Sequence, residues 1–267
     1  MNSVEIDGTR LEVASIAASE GAEQRAPIVF LHEGLGSVAM WRDWPQQVCQ
    51  ATGRGGWVYS RRGYGGSEPV PHKHRATSPV RGLRRGHLAP DYLHHEALVV
   101  LPALLLKLGI DAPILLGHSD GGSIALIHAS FFPLAGCVVM APHVMVEDVS
   151  VRSIEAARQA FEDGDLRQRL QRYHDDVDGA FWQWNDIWLD PAFRSFDIRA
   201  DCTRISAPVL AIQGREDPYG SLAQIDEIDL PPGQLSRVVV ESCGHSPQRD
   251  QPDTATRLVT EFMASLP

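Results

Sequence analysis

Short apolar runs alternate with longer helical stretches along most of this chain, and that alternation limits the fold more than any other feature. Residues 11–17, 27–31 and 57–60 read as early strands, and 114–116, 137–140, 209–212 and 238–240 follow. The later runs show little alternation of apolar and polar residues, as expected for strands covered on both faces of a parallel sheet. Between them, apolar residues recur at helical spacing over 92–108, where Gly109 supplies a stop signal, and helices are expected at 122–130 and 253–266. Strands alternating with helices in this way predict an α/β domain with a doubly wound, mostly parallel sheet.

One stretch breaks the pattern. Residues 146–203 contain no convincing buried strand, only helical pieces at 150–162, 166–174 and 176–189. Thirteen acidic residues against seven arginines give this stretch a net -6 of the chain's -10. It reads as a helical cap (lid) inserted into a core formed by 1–145 and 204–267, with ordinary long crossover helices as the alternative. The 267 residues suit one large domain with such an insertion. A second irregular stretch, 61–87, carries seven Lys or Arg against one Glu. It reads either as a solvated surface loop or as a segment near a pocket mouth that attracts an anionic substrate.

The acidic balance argues against nucleic acid or an anionic membrane as a general partner. The polar, acidic N-terminus has no basic segment before an apolar run, so it does not read as a signal peptide. No apolar stretch approaches the roughly 20 residues needed to span a bilayer. A cytoplasmic protein is therefore expected. The four cysteines form no C-x-x-C pair, so no metal site is expected. None of these patterns bears on oligomeric state.

The chemistry is concentrated at Gly117-His118-Ser119-Asp120-Gly121-Gly122, a G-x-S-x-G motif between an apolar strand and a helix. That context makes Ser119 the candidate nucleophile, on a tight turn at the positive end of the following helix. A serine hydroxyl needs a base, and the base needs an orienting acid, in the chain order Ser, acid, His. Asp217 follows the 209–212 strand and is the candidate acid, with neighbouring Glu216 ranked second; a turn cap is the other reading of an Asp before Pro218. His245 follows the last strand and is the candidate base. The oxyanion hole needs two converging backbone N–H groups. Asp120 is one candidate, and Gly34, or Leu35 in the adjacent register, is the other.

These motifs resemble the α/β-hydrolase superfamily, in its branch of small-molecule serine hydrolases with a helical cap. His32-Glu33-Gly34-Leu35-Gly36-Ser37 is similar to the family's oxyanion loop, Ser60 to Ser67 to its D-x-R-G-x-G-x-S segment, and the Ser119 motif to its nucleophile elbow. Arg215-Glu216-Asp217-Pro218 and Cys243-Gly244-His245-Ser246-Pro247 hold the acid and base positions. The resemblance runs from about residue 27 to the C-terminus and places the cap at 146–203. Two residues depart from it. Glu33 stands where the family usually has Gly, and Ser60 where many members have Asp.

The resemblance implies cleavage of a small ester, thioester or lactone through an acyl-enzyme, with no metal or organic cofactor. The same residues also fit a hydrolase of carbon–carbon bonds in ring-fission diketones, or a non-catalytic ligand-binding module on the same scaffold. Phe181, Trp184 and Trp188 share one helical face and either anchor the cap or line an apolar or aromatic acyl pocket. Met40 and Trp41 are expected to complete the wall, with Glu33 and His143 close by. Arg42 is read as a carboxylate-binding residue or a surface ion pair. The expected partner is a small molecule of anionic or aromatic character.

Overall fold

The computed structural model describes residues 2–70 and 88–266. Eight strands form one sheet in the order β1-β2-β4-β3-β5-β6-β7-β8. They are β1 (Asn2–Ile6), β2 (Thr9–Ile16), β3 (Ile28–Leu31), β4 (Gly56–Tyr59), β5 (Ile114–His118), β6 (Gly136–Met140), β7 (Val209–Gly214) and β8 (Leu235–Val240). The pairs β1–β2 and β2–β4 are antiparallel, and every other neighbouring pair is parallel. The mostly parallel α/β sheet expected from the sequence is therefore present.

Strand β1 was not expected, although its signal is in the sequence. Asp7 and Gly8 both take positive φ, 47° and 75°, at the turn between β1 and β2. A two-residue Asp-Gly turn of this kind matches the twist of a hairpin.

The central strands β3, β5, β6 and β7 are buried along their whole length. Their side chains alternate between two apolar layers. Val29, Leu115, Cys137 and Val209 face one side, and Phe30, Leu116, Val138 and Leu210 the other. The second layer is closed by α1 (Trp44–Thr52) and α11 (Pro252–Met263). The first is covered by a helical run over 92–108, made of α2 (Tyr92–His95), a π-helical turn (Glu96–Val100) and α3 (Leu101–Leu108), and by α4 (Asp120–Ala129).

Residues 146–203 contribute α5 (Asp148–Glu162), α6 (Leu166–Leu170), α7 (Val177–Trp188) and α8 (Arg199–Cys202), with one isolated bridge between Met145 and Asp197. The absence of a strand here follows the sequence expectation. Helix α6 ends at Leu170, earlier than its apolar spacing suggests, because the chain beyond it is held by the core: Asp175 N–H donates to Gly65 O (3.0 Å) and His174 turns inward. The short α9 (Ala223–Asp226) and α10 (Pro247–Asp250) complete the chain. Among the described residues, no helix is long and apolar enough to cross a membrane.

The parallel register brings the C-terminal ends of β3, β5, β6, β7 and β8 to one edge of the sheet. Ligands of open α/β sheets bind in the crevice outside that edge.

Candidate active site

The chain leaves β5 at His118 and enters α4 at Asp120, so Ser119 alone makes the turn. It takes φ 54° and ψ -119°, a conformation that L-residues rarely adopt. The glycines around it are required by contact. A side chain at Gly117 would collide with the Gly121 carbonyl, and one at Gly121 with the Leu31 carbonyl. The turn therefore packs directly on β3, and the Ser119 side chain is presented at the sheet edge.

His245 and Asp217 come from the loops after β8 and β7. The His245 ring lies 2.9 Å from Ser119 Oγ through Nε2, and its Nδ1 lies 2.8 Å from Asp217 Oδ2 and 2.9 Å from Oδ1. Asp217 also accepts from the Tyr219 N–H (2.8 Å) and from Gln213 Nε2 (2.8 Å). Burial pushes its carboxyl pKa up, but the His245 contact and the Tyr219 N–H outweigh that and hold it below the usual carboxylate range. Glu216, ranked second for this position, is exposed to solvent.

A cavity of about 220 Å³ opens at Ser119, with Glu33, Gly34, Leu35, Met40, His143, Trp184 and Trp188 on its walls. Three of the expected pocket residues lie elsewhere. Phe181 is fully buried and stacks on Phe161 (3.7 Å between ring centres), because α7 turns that side chain toward α5. Trp41 stacks on Trp44 in the layer under α1 and lines an adjoining groove. Arg42 also lines that groove, outside the cavity. Of the aromatic face of α7, only Trp184 and Trp188 reach the cavity. Trp184 packs so closely over Gly34 that a side chain there would collide with its indole.

Residues 28–257 match the model of the alpha/beta hydrolase family. This chain is an alpha/beta hydrolase.

Solved structures agree on the fold. The enol-lactonase from Burkholderia xenovorans LB400 superposes with a TM-score of 0.71 at 17% identity, over 99% of this chain and 100% of that one. A hydrolase from Pseudomonas aeruginosa PA01 gives 0.72 at 16% identity over 99% and 98%. A thermophilic esterase from Thermogutta terrifontis gives 0.69 at 16% identity over 98% and 96%. No curated protein matches the sequence significantly.

Two further carboxylates flank Ser119, and each has its own partners. Asp120 is fully buried and accepts from Tyr92 Oη (2.8 Å), Trp188 Nε1 (3.3 Å) and Arg61 Nη1 (3.5 Å). Arg61 was expected to belong to a basic stretch that is either a solvated surface loop or a segment near a pocket mouth. It is instead buried as the counter-ion of Asp120, and its Nη2 donates to the Glu33 carbonyl (2.9 Å). Arg62 pairs with Glu68 at 3.0 Å. Residues 71–87 of that basic stretch lie outside the described residues.

Glu33 faces the other side of the elbow. Its Oε2 lies 3.4 Å from His118 Nδ1, and His118 Nε2 donates to the His245 carbonyl (2.6 Å). Burial is the largest single influence and raises the Glu33 pKa, but the hydrogen bond and charge of His118, with a smaller effect of His32, together outweigh it and bring it down to about 2. His143 has its pKa pushed down to about 3, first by burial and then by His245. It is a neutral ring that packs edge-on to Trp188 (4.8 Å).

The departure at Ser60 is compensated by a neighbouring strand. Ser60 Oγ donates to the Glu12 carboxylate from β2 (2.6 Å) and accepts from the Val38 N–H (2.9 Å). Several residues of the site went unnoticed in the sequence. Arg249, Tyr219, Ile154, Leu170 and Ser246 all line the cavity. Tyr219 and Arg249 follow the acid and base at short spacing, and that proximity was the available signal. Nothing in the spacing of Ile154 or Leu170 distinguishes them from core residues. Among the described residues, no group of His, Cys, Asp and Glu is placed to hold a metal ion.

Proposed function

We propose that this hydrolase cleaves a small ester, thioester or lactone through an acyl-enzyme formed on Ser119. The observation that carries the reading is the unbroken chain from Ser119 Oγ through His245 to Asp217, each link 2.8 to 2.9 Å long. His245 Nε2 takes the hydroxyl proton as Ser119 attacks the carbonyl carbon. Asp217 stabilises the imidazolium through Nδ1, and His245 then gives the proton to the leaving oxygen or sulfur. Water activated by the same nitrogen releases the acid. Every proton moves between chain atoms, substrate and the attacking water, so the mechanism calls for no cofactor.

The oxyanion is held by the Asp120 N–H at the start of α4 and by a second N–H from the loop after β3. Gly34 is favoured over Leu35 on peptide geometry. The Glu33 carbonyl is held by Arg61 and by His32 Nδ1 (2.6 Å), and in a planar trans peptide the Gly34 N–H then points the opposite way. Gly34 lines the cavity.

Residues 146–203 act as the cap over a core of 1–145 and 204–267. Trp184 and Trp188 form the wall of an apolar or aromatic acyl pocket. The esterase and the enol-lactonase of the same fold make esters and lactones the first substrates to try.

The test is a panel of aryl esters, thioesters and lactones of graded acyl size, followed in rapid mixing. We expect a burst of leaving group before the steady state, absent in Ser119→Ala. A ketonised intermediate preceding cleavage of a dienol-type diketone, with no ester turnover, would instead assign the site to carbon–carbon hydrolysis.

A further inference from the structure

The catalytic cavity is small. At about 220 Å³ it lies below the range of roughly 300–1,000 Å³ common for ligand pockets. A substrate whose reacting carbonyl sits at Ser119 therefore has room for one short arm inside. The other arm leaves past Glu33, Met40 and Arg249, which line both the cavity and an adjoining groove of about 430 Å³.

Two arginines stand along that exit. Arg249 lies on α10, four residues after His245, so its position is tied to the base. Arg42 follows the turn at Ala39–Trp41 and takes φ 56° and ψ -132°, nearly the conformation of Ser119 itself. A long, charged side chain on such a backbone is uncommon, and strain of this kind collects at functional sites. Arg42 and Arg249 have no ion-pair partner among the described residues. The acidic groups beside them are engaged: Glu33 with His118, Asp43 with Gln47 Nε2 (2.8 Å), and Asp250 with the Gly244 N–H (2.9 Å).

A third arginine joins from the 146–203 segment. The Arg172 guanidinium lies over the Tyr173 ring at 5.4 Å. The Tyr173 phenol pKa is lowered, first by a hydrogen bond from Arg42, with the charges of Arg42, Arg172 and Arg249 adding to it. Three arginines therefore gather at one rim of a chain whose net charge is -10, beside the carboxylates of Glu33, Asp43 and Asp250.

We propose that Arg249 and Arg42 form an anion-binding subsite at the mouth of the catalytic cavity and in the adjoining groove, which takes a carboxylate or phosphate carried on the substrate arm that projects from Ser119. The inference rests on the hydrolase reading above and narrows its substrate class to anionic acyl compounds. The short arm is held by the tryptophans, and the charged arm by the guanidinium groups, which suit planar or tetrahedral oxyanions.

The test uses the full-length protein and three esters with the same short acyl group. Their alcohol arms end in a methyl, a carboxylate or a phosphate; a matched set carries the charge on the acyl arm. The quantity read is kcat/KM for each charged ester divided by that for its neutral partner. We expect a preference for a charged ester in wild type, carried mainly by KM and weakened by added salt. Arg249→Gln and Arg42→Gln should each reduce that ratio by about tenfold or more, the scale of a lost charge-assisted hydrogen bond. Arg257→Gln, at an exposed arginine of α11 that pairs with Glu261 and does not line the groove, should keep the wild-type ratio. The better of carboxylate and phosphate identifies the group recognised. Turnover of neutral and charged esters with equal efficiency, and a ratio untouched by Arg249→Gln, overturns the subsite and leaves the hydrolase reading intact. No turnover of any ester, thioester or lactone overturns the hydrolase reading itself.

Discussion

Two sets of residues meet at Ser119, and they are built differently. The loops at the ends of β3, β5, β7 and β8 carry polar side chains held by dense internal hydrogen bonds. Asp217 has three partners, and so does the Glu33 carbonyl, which accepts from His32 Nδ1, Arg61 Nη2 and the Gly36 N–H. The turn at Ser119 is strained as well as packed. The helices α5 to α7 approach the same cavity with apolar groups: Ile154, Leu170, Trp184 and Trp188. Their outward faces are charged, and they share an apolar cluster with the sheet and bond to the core through Ser150 to the Tyr219 carbonyl, Gln183 to the Arg62 carbonyl and Trp188 to Asp120. On the function proposed above, rigid polar geometry on one side serves the reaction and apolar shape on the other serves selection. Substitutions on the two sides should therefore fail in different ways.

The largest effect is expected on the polar side. Ser119→Ala should lower kcat for an activated ester by about 10⁴-fold or more, with a native circular-dichroism spectrum. Asp217→Asn should follow with a loss of roughly 10²–10⁴-fold, because the amide no longer holds the His245 tautomer or its charge. Steady-state rates on one aryl ester measure both. Losses under tenfold in either variant would break the division drawn here.

Asp120→Asn probes the link between the two sides. The amide keeps the shape but leaves Arg61 buried beside a neutral group. We expect a loss of stability of about 3 kcal/mol, read as a lower denaturation midpoint at unchanged slope. An unchanged midpoint would mean that the Asp120–Arg61 pair contributes nothing to holding the elbow.

On the apolar side, Trp184→Ala should shift the preferred acyl length upward, changing the ratio of kcat/KM between long and short esters by about tenfold. Phe181→Leu should leave that ratio alone and lower stability instead, since Phe181 packs on Phe161 and away from the cavity. A selectivity change in Phe181→Leu would place the pocket wall deeper in α7.

The smallest effect concerns Glu33. Its pKa falls from the ordinary 4.5 to about 2 in the folded chain, so the folded state favours the ionised form. The stability this provides is complete above about pH 4.5 and is lost as the pH falls toward 2. Glu33→Gln lacks that contribution. Its denaturation midpoint should decline less steeply than that of wild type between those pH values, and parallel curves would contradict the Glu33–His118 pairing.

The sheet was legible in the sequence because its central strands are buried on both faces and so appear as unbroken apolar runs. That Ser119, Asp217 and His245 meet at one edge of the sheet was legible because each stands in the loop after a β-rich run, β5, β7 and β8. Strand β1 was missed because it is mostly exposed and has no apolar run; only the Asp7-Gly8 turn announces it. The role of Arg61 was missed for a different reason. A charged stretch reads as solvated surface, and its burial depends on Asp120, 59 residues away. The three aromatics of α7 share a face by spacing. Which of them reaches the cavity is decided by α5 packing against one edge of that face, a tertiary contact that helical periodicity does not encode.

The central claim is that Ser119 is a nucleophile activated by His245. Labelling the intact folded protein with a fluorophosphonate, followed by mass spectrometry of its peptides, tests it most directly. We expect one adduct per chain, on the peptide holding Ser119, absent in Ser119→Ala and formed far more slowly in His245→Ala. A folded wild-type protein that takes up no label, or labels equally fast after His245→Ala, would contradict it.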